Sequence, residues 1–265
     1  MKKEFTLTVF GARGSVPSSR AENIVYGGDT SCYMVRAGKD TIFLDGGSGL
    51  AAAPTIYPKP PVILLSHLHL DHVMGLGMFT GFFVPGQKAR VYVPFCEDAE
   101  AAEARMAQIY MPPFWPMRLS QLEGKPEILP MPDCFSVGEV QVETMEGNHP
   151  NRSMILKLSF GKKSLVYATD YEHKEPSFSR LIQFAKNADL LMYDAQFTEA
   201  QYPSRRGFGH STAKKGMELM RRSKAKRLLL IHHAPGSTDA LLSRREKKIQ
   251  NENISYAREG QVILI

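Results

Sequence analysis

Only three cysteines occur in 265 residues, Cys32, Cys96 and Cys134, and none lies in a Cys-x-x-Cys pair. An odd and scattered trio builds neither a disulfide framework nor a thiolate zinc ribbon, so a reducing cytoplasm is the expected compartment. Long apolar runs are missing too: nowhere do about eighteen uncharged apolar residues follow one another, the length a spanning helix needs. The start, MKKEFTLTVFGARGS, is basic, but its apolar stretch is too short and too polar for a signal peptide. Neither export nor a membrane partner is expected. Internal repeats and low-complexity tracts are absent, and the Pro-rich stretches at 54–61, 111–116 and 126–132 read as loops rather than interdomain linkers, so the chain is read as one domain. Acid is the scarcer charge, with 27 Asp and Glu against 33 Lys and Arg; the net charge of +6 favours anionic partners such as phosphates. Much of the excess sits in Arg205, Arg206, Lys214, Lys215 and the runs 221–227 and 244–248, which read first as solvated helix faces.

What is present is an ordinary globular balance, 43% hydrophobic and 23% charged. Short β-branched or alternating runs predict strands at 5–10, 32–36, 41–44, 62–65, 90–93, 140–145, 153–160, 164–168, 190–193, 227–231 and 262–265. Helical spacing predicts helices at 72–79, 97–109, 177–186, 212–222 and 239–250, with Ser211 or Thr212 and Thr238 as N-caps. Many strands with a few helices between them imply an α/β layered sandwich, helices covering the outer faces of two packed sheets.

Histidine is scarce, eight in all, yet three fall in His67-Leu68-His69-Leu70-Asp71-His72, directly after the apolar strand Val62-Ile63-Leu64-Leu65-Ser66. Two-residue alternation at a strand end delivers His67 and His69 to one side, while Asp71 and His72 begin a helix and turn to a second point nearby. One short loop can then serve two metal centres. Imidazole and carboxylate suit zinc, manganese, iron or nickel, and a carboxylate among nitrogens favours a centre that keeps water over a closed structural one.

This HxHxDH segment after an apolar strand resembles the signature of the metallo-β-lactamase fold superfamily, whose fold is a four-layer αββα sandwich. The remaining parts of the pattern have counterparts at strand ends: His149 in Gly147-Asn148-His149-Pro150, Asp170 in Tyr167-Ala168-Thr169-Asp170, and His232 in Leu229-Leu230-Ile231-His232. The resemblance implies that His67, His69 and His149 hold one divalent ion, that Asp71, His72 and His232 hold another, and that Asp170 bridges them. Two Zn2+ ions are the expected cofactors, with Mn2+ as the substitute. Asp45, in Leu44-Asp45-Gly46-Gly47, resembles the residue that braces the ligand loop without being a ligand.

Within the superfamily the sequence is most similar to the phosphodiesterase branch that includes tRNase Z and bacterial cyclic-nucleotide phosphodiesterases. Gly11-Ala12-Arg13-Gly14-Ser15 with Tyr26 to Cys32, then Tyr193-Asp194-Ala195-Gln196, then Gly209-His210-Ser211-Thr212 carry that similarity. It implies catalytic roles for Asp71, Asp170 and His210, the last beside the scissile phosphate, with Ser211, Thr212 and His233 as substrate-binding candidates. Asp170 stands where class B β-lactamases usually carry cysteine, and no long Gly- and Pro-rich basic arm for gripping tRNA is present. The expected activity is hydrolysis of a small anionic phosphodiester, first a cyclic nucleotide, with tRNase Z-type RNA processing, glyoxalase-type thioester hydrolysis and a non-catalytic nucleotide-binding module as alternatives. By the same resemblance the protein is expected to be a homodimer. The aromatic stretch from Phe79 to Met117 reads either as a site rim or as a loop pinned by its own side chains.

Overall fold

The short apolar runs become the strands of two seven-stranded sheets in a computed structural model that describes residues 4–265. In chain order the elements are β1 (Phe5–Gly11), β2 (Cys32–Ala37), β3 (Asp40–Leu44), β4 (Val62–Leu64), α1 (Leu70–Val73), β5 (Arg90–Val93), α2 (Ala99–Ala107), β6 (Glu127–Pro130), β7 (Cys134–Val137), β8 (Val140–Glu146), β9 (Met154–Phe160), β10 (Lys163–Ala168), α3 (Ser177–Phe184), β11 (Leu190–Asp194), α4 (Ala213–Ser223), β12 (Leu228–Ile231), α5 (Asp239–Lys247), β13 (Ile254–Tyr256) and β14 (Val262–Leu264). The first sheet has the order β14-β1-β2-β3-β4-β5-β6 and the second β13-β12-β11-β10-β9-β8-β7. Strands β3 to β6 run parallel, as do β10 to β13, while the other halves are antiparallel.

Side-chain alternation sorts each strand between two packing layers. On β4, Val62 and Leu64 face the other sheet and Ile63 faces outward beneath helix and loop. On β10, Leu165 and Tyr167 face inward, Val166 and Ala168 outward. Because both faces of these parallel strands are covered, they read as unbroken apolar runs. α2 closes the outer face of the first sheet through Ala102 and Met106; α3, α4 and α5 close that of the second through Leu181, Leu219 and Leu242. The result is the expected αββα sandwich. No helix among the described residues is long and apolar enough to cross a membrane.

Several expectations need correction. The helix expected at 72–79 is only α1, followed by a 3-10 turn at Leu76–Met78. Gly75 donates its N–H to the Gly46 carbonyl at 2.9 Å, and a Cβ there would lie 2.0 Å from the Gly47 oxygen, so tertiary contact with the Asp45 turn ends the helix. The stretch 126–132, read as a loop, contains β6; its Pro130 is tolerated because β6 is an edge strand. β7 and β13 were not expected, being short edge strands without a full alternation period. In the aromatic stretch Phe79, Phe82 and Tyr110 are buried against the first sheet, which leaves Phe83 and Phe114 as its exposed rings.

Candidate metal centre

Every candidate ligand lies at an end of the sandwich where strands finish. His67 and His69 follow β4, Asp71 and His72 sit on α1, His149 follows β8, Asp170 follows β10 and His232 follows β12. Ligand sites in open parallel sheets collect at such carboxyl ends, where loops diverge and backbone groups are free of the ladder. Three of the turning residues, Asp45, Asp170 and His232, have left-handed φ of 61°, 44° and 60°. Each such non-glycine turn costs roughly 1 kcal/mol or more and is held by its surroundings.

The sequence-predicted ligands come together in two groups. His67, His69 and His149 form one; Asp71, His72, Asp170 and His232 form the other, with donor atoms in each group within 4.8 Å of one another. Asp170 lies between them, Oδ2 being 3.7 Å from His67 Nε2 and 3.1 Å from His72 Nε2, and Oδ1 2.9 Å from His232 Nε2. Asp71 Oδ2 approaches His72 Nε2 and His232 Nε2 at 3.3 and 3.2 Å.

The outer nitrogens of the rings are tied, which turns the inner ones to the centre. His72 Nδ1 donates to Asp45 Oδ2 at 2.6 Å, His67 Nδ1 to Ser66 Oγ at 3.0 Å, and His149 Nδ1 to the Gly209 carbonyl at 2.8 Å. Asp45 also accepts from the Ser66 N–H, the Ser66 hydroxyl and the Tyr167 hydroxyl, so it braces the loop from both sheets at once. Such outer tethers fix tautomer and orientation in metal-binding histidines. The inner atoms His67 Nε2 and His72 Nε2 are buried and make no hydrogen bond, although carboxylate oxygens lie close. Converging, unpartnered imidazole nitrogens beside carboxylates fit a divalent cation.

The two groups differ in charge. Burial holds His67, His69 and His149 below the usual histidine range, which favours the neutral imidazole a cation needs, and within the trio His69 Nδ1 and His149 Nε2 lie 3.2 Å apart. Burial opposes charge on His72 and His232 as well, but Asp170 and its neighbours overcome it: His72 is held well above the usual range and His232 is raised to about 10. Burial would likewise raise Asp170, yet the facing His232 and His72 keep it well below the carboxylate range.

His210 stands at the edge of this centre. Its ring stacks on His232 at 4.8 Å and an 18° tilt, and its Nδ1 bonds to Asp194 Oδ2 at 2.8 Å. Asp194, the last residue of β11, is a functional candidate that residue-by-residue reading left without a role. Its signal was a strand-end aspartate in Tyr193-Asp194-Ala195-Gln196, the same context as Asp170. Ser15 was missed too: its backbone N–H donates to Asp71 Oδ2 at 2.6 Å, an interaction that leaves no trace in side-chain chemistry.

The three substrate-binding candidates lie in the interior. Ser211 is fully buried, its hydroxyl bonded to His173 Nδ1 at 2.7 Å and to the Tyr193 hydroxyl at 2.8 Å. Thr212 caps α4 through the Lys215 N–H at 3.3 Å. His233 turns into the core, donating from Nε2 to the Ala257 carbonyl at 2.8 Å between Tyr26 and Tyr256, and burial lowers it to about 3. All three residues are buried.

The beta-lactamase superfamily domain matches residues 40–233. A ribonuclease Z of Archaeoglobus fulgidus is 24% identical over 95% of each chain. The metallo-beta-lactamase fold protein YhfI of Bacillus subtilis superposes with a TM-score of 0.75 over 99% of this chain and 100% of its own, at 19% identity. The short form of human tRNase Z gives 0.67 over 97% and 98%, at 18% identity. At such identities the structural likenesses speak for the fold.

Proposed function

The chain belongs to the beta-lactamase superfamily, and from that premise we propose that it is a metal-dependent phosphodiesterase acting on a small nucleotide phosphodiester, first a cyclic nucleotide. One observation carries the reading: Asp170 belongs to one ligand group and lies 3.7 Å from His67 of the other, and a carboxylate-held histidine, Asp194–His210, stands beside them. His67, His69 and His149 would hold one divalent ion, Asp71, His72 and His232 a second, and Asp170 both; the nitrogen and oxygen donors suit Zn2+, with Mn2+ as the substitute. Bound there, the ions supply Lewis acidity to a phosphoryl oxygen and lower the pKa of water toward neutrality. The chain's own part is orientation and proton transfer. Asp45, Ser66 and Gly209 aim the ring nitrogens inward. Asp194 holds the Nδ1 proton of His210, which leaves Nε2 to give a proton to the departing alkoxide or a hydrogen bond to a non-bridging oxygen.

RNA is the second substrate reading, favoured by the full-length similarity to a ribonuclease Z. The reading also includes one catalytic domain, a reducing compartment, supported by three free cysteines, and a homodimer, supported by the exposed apolar Leu70, Met78 and Phe114. Metal analysis with a panel of cyclic nucleotides, linear dinucleotides and pre-tRNA tests the assignment. Two ions per chain and hydrolysis of bis(p-nitrophenyl) phosphate are expected, with S-lactoylglutathione and nitrocefin left intact. Asp170→Ala should lose both metal occupancy and turnover; full activity in that variant, or faster thioester than phosphodiester hydrolysis, would refute the reading.

A further inference from the structure

Past His149 the cleft opens into a cavity of about 810 Å³, the size of a small-molecule site. Its wall is cationic: Lys174, Arg206 and Lys215 line it. Lys215 pairs with Glu218 at 2.8 Å, whereas among the described residues no ion pair forms on Lys174 or Arg206. The acid in the wall is Glu172, whose oxygens accept from the Tyr202 hydroxyl and from the N–H groups of Gly207 and Gly209 at 2.9 to 3.1 Å. Those bonds pin the 202–209 loop and with it Arg206. The aromatic rings of the wall are engaged with each other: His173 packs on Tyr202 at 4.2 Å, and the Arg206 guanidinium lies 5.9 Å from the Tyr202 ring. His173 in turn is fixed by Ser211. What the cavity offers a ligand is therefore positive charge on a rigid support. His149 belongs both to this wall and to the candidate centre, and its ring is 5.3 Å from that of His210. A phosphodiester reacting at the centre would place its next substituent in this space.

We propose that this cavity is an outer subsite for a second phosphate of the substrate, held by Arg206 and Lys215, so that the preferred substrate is a nucleotide phosphodiester carrying a further phosphate. The inference rests on the phosphodiesterase reading and narrows it. Paired substrates test it on the metal-loaded enzyme: thymidine 5′-(p-nitrophenyl phosphate) with and without a 3′-phosphate, and a nucleoside 2′,3′-cyclic phosphate with and without a 5′-phosphate. The phosphorylated member of at least one pair should have a kcat/KM about 10- to 100-fold higher, chiefly through KM, the range for charged hydrogen bonds to a bound anion. Arg206→Met combined with Lys215→Met should bring that ratio to about one, Arg206→Lys alone should keep most of it, and Lys226→Met, which removes a cation paired with Asp189 before β12, should leave it intact. A ratio near one in the parent on both pairs, or one that survives the double substitution, overturns the subsite while the phosphodiesterase reading stands. No turnover of any member, with bis(p-nitrophenyl) phosphate inert too, overturns both.

Discussion

At Asp194 and His210, holding a metal and moving a proton are alternative roles. His210 Nδ1 is 2.8 Å from Asp194 Oδ2, and the pair also lies with Asp170 and His232 in a third set of donor atoms within 4.8 Å of one another. If the pair serves proton transfer, His210→Ala should leave metal content near that of the parent while kcat falls about 10² to 10⁴-fold. Asp194→Asn should lower kcat in the same direction, because an amide can no longer hold the imidazole in the required protonation state. The loss should shrink for p-nitrophenolate, a leaving group that needs little protonation. Elemental analysis beside kcat on two leaving groups decides it: a variant that sheds metal makes His210 a ligand, and unchanged turnover makes it a bystander. At this scale the sequence was most legible where chemistry is rare. Three histidines in six residues mark a site by residue type alone, and all seven ligand candidates converge. The burial of Ser211, Thr212 and His233 was not legible, because a hydroxyl or an imidazole near a site motif looks the same whether it faces cleft or core; the side-chain direction is set by tertiary packing.

Among the elements, the segment from Tyr202 to Gly209, a 3-10 turn over Tyr202–Arg205 followed by irregular chain, shows how a connection positions chemistry. Gly207 and Gly209 both have left-handed φ, 85° and 84°, and both donate to Glu172. Their surroundings differ. A Cβ on Gly207 meets nothing within 4 Å, while one on Gly209 would lie 2.1 Å from His149 Nδ1, the atom its own carbonyl orients. Gly207→Ala should therefore cost about 1–2 kcal/mol of stability from backbone strain alone, with metal content intact. Gly209→Ala should in addition displace His149 and lower occupancy of the group it shares with His67 and His69. Melting temperature and zinc stoichiometry, measured side by side, separate the two effects; equal occupancy in both variants would remove Gly209 from the site. Central strands were legible here because coverage on both faces writes itself as apolar runs. β6, β7 and β13 were not, since an edge strand of three or four residues gets its structure from its neighbour's ladder and not from its own pattern. Nor could local helical spacing at 72–79 anticipate Gly75 meeting the Asp45 turn across the fold.

Across the whole molecule the first and last strands of the described residues pair with each other. β14 pairs with β1 in the first sheet, and just before it Glu259 reaches the loop that leads into β2. There Glu259 accepts the Asp29 N–H at 2.6 Å, beneath Gly27, where a Cβ would lie 2.0 Å from its carboxyl carbon. Burial, aided by the charge of Asp29, raises Glu259 from 4.5 to about 7. A raised acid binds its proton more tightly in the fold than in the unfolded chain, so this group subtracts stability as pH climbs from about 4.5 to about 7, and the loss persists above that. Glu259→Gln keeps the oxygen that accepts from Asp29 and removes the titration. Relative to the parent, the variant should begin to gain near pH 4.5 and gain progressively to a plateau above pH 7. Because the carboxyl is partly exposed, solvent screening brings the plateau to about 1 kcal/mol, or roughly 2–4 °C in Tm. Subtracting the parent's curve from the variant's cancels the histidines and carboxylates of the centre, which titrate in both. A flat difference from pH 4 to 8 would show that Glu259 titrates at the same pH in the fold as in the unfolded chain. A gain that falls with rising pH would show the carboxylate to be stabilising as the anion, with Arg13 outweighing burial.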